Sequence, residues 1–215
     1  MMSNKRFLIG VPALMIVFSV VLYPFLPEQV PVHWSIQGVP DSFAHKSIAV
    51  LLLPMLTLGI MLLSRLMMSL TTFREKYGEA HDTHTFIMNA IVLFFAFTHV
   101  VMLLLSLSPQ SGMLRLFIVG VGILLAALGN VMGRLRPNPM FGFRFPWTLN
   151  DEVVWRRTHR VGGRWLFVSG LVIALAAWVL PLETTFLLLV VLILGGSLAL
   201  AYMSRELWLQ RHSGA

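Results

Sequence analysis

The chain contains no cysteine, which removes disulfide frameworks, thiolate metal sites, C-x-x-C redox motifs and a cysteine nucleophile together. Charge is also scarce: Asp, Glu, Lys and Arg make up 12% of 215 residues, about half the usual share of a soluble domain. Acid is scarcer than base, 9 residues against 16. There is no internal repeat and no low-complexity stretch. What fills the chain is apolar, 57% hydrophobic with a mean hydropathy of +0.81. This excludes an ordinary water-soluble globule and describes a polytopic membrane protein.

A bilayer core of roughly 30 Å needs about 20 apolar residues in a helix, whose backbone satisfies its own hydrogen bonds. Uncharged runs occupy 7–27, 47–64, 85–114, 116–133, 165–182 and 184–204. The third is too long for one crossing, and its tail from Ser106 to Gly112, with Pro109 inside it, reads as a tight turn. The pattern predicts one all-α membrane domain over 1–215. Its six transmembrane helices lie at 7–26, 47–68, 85–107, 114–133, 164–181 and 184–203, arranged as three hairpins. Lys5 and Arg6 ahead of the first run resemble a signal peptide. No small-residue cleavage site follows, so the segment is expected to stay as an anchor.

With both termini on the cytoplasmic side, only Lys46 and Arg115 of the 16 basic residues fall outside, in keeping with the positive-inside rule. Most of the +7 net charge is then a topology signal, and direct nucleic-acid binding loses its support.

Two loops have substance. In the outer one, 27–46, Pro27, Pro31 and Pro40 forbid a regular helix. Val30 to Trp34 reads as an extended segment, Gln37-Gly38 as a turn, and Trp34 as an interfacial anchor. The candidate ligand-facing residues are Pro31, His33, Trp34, Gly38, Pro40 and Asp41. The competing readings are a structural cap on the first hairpin, or a metal site from His33, His45 and Asp41. No H-x-x-x-H or H-E-x-x-H spacing favours the metal.

The inner loop, 134–163, follows a small-xxx-small pair, Gly129 and Gly133, with Asn130 between them. Pro137, Pro139 and Pro146 bar a helix, and Gly142 offers a turn. Phe141, Phe143, Phe145 and Trp147 alternate with other residues, predicting a strip at headgroup level with its rings inward. Arg136 and Arg144 would then face lipid phosphate. A short interfacial helix is expected over 151–160, capped by Asn150 and ended by Gly162-Gly163. It would carry Trp155 and His159 on one face and a Glu152–Arg156 pair on another. From Arg134 to Arg164, seven arginines face two acids. The candidate partner- or lipid-binding residues are Asn130, Arg136, Pro137, Asn138, Gly142, Arg144, Pro146, Trp147, Trp155, Thr158, His159 and Arg160. Catalysis by His159 with Asp151 or Glu152 lacks an accompanying nucleophile or metal-ligand motif.

Within the third span, Asn89 and His99 lie about 15 Å apart along the axis, and intramembrane polar groups are functional candidates by default. His99 either relays protons or bonds a neighbouring carbonyl while neutral. No span has Asp, Glu, Lys or Arg at its centre, which weakens ion-coupled transport. No cofactor or metal is expected.

The run from Gly129 to Trp165, containing GRLRPNPMFGFRFPWTLNDEVVWRRTHRVGGRW, resembles the signature of the SdpI family of bacterial integral membrane proteins. Leu26 to Asp41, LPEQVPVHWSIQGVPD, is similar to a small uncharacterised domain that often precedes it. The resemblance implies a multi-pass protein of the bacterial cytoplasmic membrane that gives immunity to, or senses, a secreted membrane-active peptide. It also implies recruitment of a cytoplasmic regulator, and supplies no catalytic residue. The alternatives from the residues alone are a small-solute transporter using His99 and Asn130, and a membrane enzyme at the inner loop.

Overall fold

The computed structural model describes residues 3–69, 81–108, 111–138 and 140–213. Arg74 and Lys76 of the inner basic set, Pro109 and Gln110 of the predicted turn, Pro139, and the side chains of Lys5 and Arg6 lie outside the described residues. The elements are α1 (Ser3–Leu22) with a 3-10 turn at Tyr23–Phe25, β1 (Gln29–Trp34), β2 (Pro40–His45), α2 (Lys46–Ser69) and α3 (His81–Leu107). They continue with α4 (Ser111–Met132), α5 (Pro146–Asn150), α6 (Glu152–Val179) and α7 (Leu182–His212). Five helices are long and apolar enough to cross a membrane, and Gly10–Phe25 is a shorter apolar helix. The protein is an all-α polytopic membrane protein whose outward side chains, Val179 and Leu198 among them, need lipid rather than water.

The helices form two groups, joined along the middle where α3 packs on α4, with Ile87 against Val131 and Val101 and Leu105 against Leu114. In the first, α1, α2 and α3 pack on one another. Pro54 inside α2 has no N–H to give to the carbonyl of Val50, one turn back. The Ser19 hydroxyl of α1 takes that carbonyl at 3.1 Å and lies 2.8 Å from His99 Nε2 of α3. With its single proton committed to Val50, Ser19 accepts from the Nε2–H of His99. One polar chain thus ties three helices where a proline has opened a backbone bond.

In the second group α4 packs extensively on α6, and α6 on α7. The α4–α6 contact is backbone against backbone. Gly122 meets Gly170, and Gly129 meets Gly163: a Cβ built on Gly163 would lie 2.8 Å from the Gly129 carbonyl oxygen, and one on Gly170 only 2.5 Å from Ala126 N. Each pair is seven residues apart on its own helix, two turns, so all four glycines share one seam.

This seam corrects one sequence expectation. Gly162 and Gly163 do not end a short helix; α6 runs through them as one rod from Glu152. Gly163 admits the α4 backbone, and Gly162 leaves room for the Phe143 ring and Leu200. The packing outweighs the roughly 1 kcal/mol helix cost of each glycine. A second correction follows: Asn150 is the last residue of α5, and Asp151 caps α6, accepting from Val153 N at 2.8 Å and Val154 N at 3.1 Å. At the far end, Arg115 donates to the carbonyls of Ala177 (2.6 Å) and Leu180 (2.8 Å), a cation on the negative end of the helix.

The 27–46 segment folds as an antiparallel hairpin, pairing Gln29 with His45 and Trp34 with Pro40. Its turn closes through Gly38 N to Ser35 O at 2.9 Å, with Gly38 at φ 80, a backbone angle that disfavours a side chain. Leu26 and Val30 are buried with Ala49, Val50, Met102 and Leu103 of the first group. Trp34 packs on both that cluster and one holding Leu114 and Leu182 of the second. Gly38 lies directly over Leu114 and Leu182. The hairpin therefore straps the two groups together at one end.

Candidate functional site

The 28 residues of α6 and 31 of α7 make rods of about 42 and 46 Å, longer than the roughly 30 Å hydrocarbon core. The first turns of α6 and the last of α7 lie at the same end of the pair, and the 133–151 segment is folded over them.

That segment is fixed by buried polar groups. Asn138 accepts from Met140 N (2.9 Å) and Phe141 N (2.8 Å) through Oδ1, and donates from Nδ2 to Arg136 O at 2.8 Å, making a closed Asx turn. Gly142, at φ 112, packs against the His159 ring so closely that a Cβ would overlap Nε2. His159 Nε2 accepts from Phe143 N at 2.9 Å, so its proton sits on Nδ1 and is donated to Trp155 O, also at 2.9 Å. Trp155 stacks on His159 with ring centres 3.8 Å apart, and its Nε1 donates to Leu135 O at 2.8 Å. Both side chains are fully buried, as is Thr158, whose hydroxyl returns to Val154 O. Phe141 and Phe143 turn into the protein, against Ile87, Met132 and Trp155. Phe145 stacks on Trp147, and Trp147 Nε1 donates to Ser204 Oγ of α7 at 2.8 Å. Pro146 opens α5, where its missing N–H costs nothing.

With both ring nitrogens held by backbone, His159 has no free atom for acid–base chemistry; its work is to pin the loop. Asn138, Gly142, Trp147, Trp155, Thr158 and His159 thus come together as a scaffold. Asn130 and Arg160 do not join it: they line an open groove between α4 and α6 with Arg164. Arg136 and Arg144 are exposed at the rim, Pro137 beside them half-buried. The expected Glu152–Arg156 pair is present but loose at 3.9 Å on the surface.

Sequence reasoning missed three anchors. Thr148 is buried and bridges Phe145 N and the Phe143 carbonyl. Asp151 meets Arg211 at 2.9 Å, fastening the end of α7 to the cap of α6. Burial works to raise the Asp151 pKa, but the Arg211 hydrogen bond and the Val153 and Val154 amides outweigh it and hold the carboxyl below its ordinary value. Ser19 is the third; Pro54, four residues after Val50, was its sequence signal. Asn89 is half-buried and makes no hydrogen bond among the described residues. His99 is enclosed with Ser19 in the first group, and it is not among the residues that line the groove with Asn130.

On the opposite end, His33 Nδ1 lies 2.6 Å from Asp41, while His45 pairs with Glu28 at 3.1 Å and Lys46 joins Glu28 at 2.9 Å. The three residues considered for a metal are thus divided between two separate pairs. The Lys46 hydrogen bond and charge keep Glu28 below the usual carboxylate range. The same segment exposes large apolar side chains: Phe25 at its base, Ile36 and Val39 at its turn and Phe43 on β2 are 43–71% exposed. Pro31 and Trp34 are packed inward, and Gly38 and Pro40 shape the turn.

Comparison with known proteins matches both ends. Residues 134–204 match the SdpI/YfhL protein family, and residues 11–58 a domain of unknown function (DUF1648). The chain is 30% identical over 176 residues to Immunity protein SdpI of Bacillus subtilis (strain 168), covering 82% of each chain. It is 35% identical over 54 residues to the uncharacterized membrane protein YbgB of the same organism, covering 25% of this chain and 59% of that one. No solved structure matches. With the arginine-rich platform, the proline-bent hairpin and a relative aligned across most of both chains, this multi-pass protein belongs to the SdpI/YfhL family.

Proposed function

We propose that the chain protects its cell against a secreted membrane-active peptide, acting as a membrane immunity protein and not as an enzyme. The observation that carries this is the 82% two-way coverage by a named immunity protein. Six spans with both termini in the cytoplasm would put the hairpin outside and the platform inside. In that orientation the exposed Phe25, Val39 and Phe43 side chains meet the peptide, because an amphipathic peptide buries its apolar face on matching groups. The arginines at the rim of the platform meet an acidic segment of a cytoplasmic regulator.

The test is survival of a peptide-sensitive bacterium expressing the wild-type chain or Val39→Ser with Phe43→Ser. Wild type is expected to raise the lethal peptide concentration, and the double variant to lose that gain at equal membrane abundance. Undiminished protection by the variant sinks the hairpin's role, and no protection by wild type sinks the immunity reading. Orientation is read separately. The natural absence of cysteine lets Ser42→Cys and Arg157→Cys be labelled singly with an impermeant maleimide. Ser42→Cys should label in intact cells and Arg157→Cys only after permeabilisation.

A further inference from the structure

The α4–α6 seam is so close that its edge leaves an open groove of about 440 Å3, within the roughly 300–1,000 Å3 typical of small-molecule sites. Glycines 129, 133 and 163 give it a floor of bare backbone. Arg160 and Arg164 stand along one wall, one helical turn apart, with Asn130 opposite and Phe167 and Val168 at the far end. Among the described residues neither arginine has an ion-pair or hydrogen-bond partner, unlike Arg156 with Glu152 and Arg211 with Asp151. Two guanidinium groups on one helix face repel unless an anion lies between them.

The chemistry also changes in order. From Arg160 to Val168 the helix descends about 12 Å, from cations at the platform to apolar side chains in the bilayer-facing belt, 39% and 57% exposed at Phe167 and Val168. That is the sequence of groups along a phospholipid, from phosphate to acyl chain. We propose that this groove holds the headgroup of an anionic glycerophospholipid from the leaflet on the arginine-rich side. Its phosphodiester lies between Arg160 and Arg164, a headgroup hydroxyl on Asn130, and its first methylenes on Phe167 and Val168. Guanidinium groups suit the phosphate because their paired N–H donors match its oxygens. The glycine floor is what lets the phosphate approach the helices. The inference rests on the reading of the chain as membrane-spanning with this platform at a headgroup level, and is independent of the immunity reading.

Native mass spectrometry of the full chain in detergent tests it, with phosphatidylglycerol, phosphatidylcholine or glycerol 3-phosphate added. Wild type is expected to prefer phosphatidylglycerol by about 30-fold, from about fivefold per arginine near anionic lipid. Arg160→Gln with Arg164→Gln should abolish that preference, and so should Asn130→Asp, which puts a like charge beside the phosphate. Arg65→Gln with Arg205→Gln, which removes two arginines away from the groove, should keep it. Equal binding of the two lipids by wild type overturns the proposal, as does equal loss in the Arg65/Arg205 control. Displacement by glycerol 3-phosphate alone would make it a free-phosphate site and overturn it as well. Because binding in detergent does not depend on orientation, failure of the topology is seen only in the maleimide labelling.

Discussion

The glycine seam between α4 and α6 makes a prediction with opposite signs at two glycines. In Gly170→Ala the new Cβ lies 2.5 Å from Ala126 N and 3.1 Å from Ala126 Cα, where ordinary contact begins at 3.4 Å. The Gly122 carbonyl oxygen is closer still and all three neighbours are backbone, so no rotamer relieves the overlap and the helices must separate by about 1 Å. A gap of about 0.5–1 Å forfeits a quarter to a half of each dispersion contact it opens, and overpacking against backbone, with no rotamer to relieve it, costs about 2–3 kcal/mol, the upper part of the usual range. The better helix propensity of alanine returns about 1 kcal/mol. The net expectation is a loss of about 1–2 kcal/mol, or about 2–8 °C in Tm for a chain of this size. Gly195, on α7, has nothing within 4 Å of its built Cβ. Gly195→Ala therefore gains the propensity term alone and should raise Tm by about 2–4 °C. The assay is thermal unfolding of the purified protein in a mild detergent, followed by circular dichroism. If Gly170→Ala melts no lower than wild type, backbone contact is not what holds α4 to α6.

Gly142→Ala combines an unfavourable φ with a Cβ in the His159 ring; it should free the Phe143 amide, seen as faster hydrogen exchange there, and cost about 2 kcal/mol or more. The Asp151 pKa is lower folded than its ordinary 3.8, so its stabilisation is complete above that value and disappears as pH falls through it toward the folded value. Proteolysis at 205–213 should accordingly rise as the pH drops through this window in wild type. In Asp151→Asn it should be high already at neutral pH, and flat. Removing the Ser19 hydroxyl leaves the Val50 carbonyl and His99 without their partner, and Ser19→Ala should cost about 1–2 kcal/mol. His99→Leu should likewise lower Tm without creating or removing solute flux in proteoliposomes; a flux lost with His99 would favour a transporter.

The apolar helices were legible because long uncharged runs leave the backbone one way to satisfy itself in lipid. The 27–46 segment was legible in part: its prolines bar a helix, and Val30 to Trp34 and the Gln37-Gly38 turn form as expected, but the partner strand Pro40–His45 has no alternation of its own to mark it. What misled was local punctuation. Gly162-Gly163 reads as a stop by propensity, yet tertiary contact with Gly129 and Phe143 makes it the middle of α6. The spacing that mattered, 122 and 129 on one helix and 163 and 170 on the other, was present, but four-residue spacing drew attention first. The alternating aromatics suggested a surface strip because alternation is blind to a chain that folds back on itself; Asn138 and Thr148 do that folding. Arg164 is counted in the basic run but is not among the candidate binding residues because it lies past the expected loop, though it is one turn from Arg160.

Since α6 is a single unbroken piece, its two tips cannot move independently. One tip is clasped by Arg115 beneath the hairpin's turn, the other sits among the arginines of the platform. Over about 42 Å, a lean of about 3° at the hairpin end swings the opposite tip by about 2 Å. That travel equals most of a hydrogen bond's length, enough to break the Asp151–Arg211 clasp. A push on one side of the membrane would thus be delivered to the other as leverage, with no relay of side chains in between.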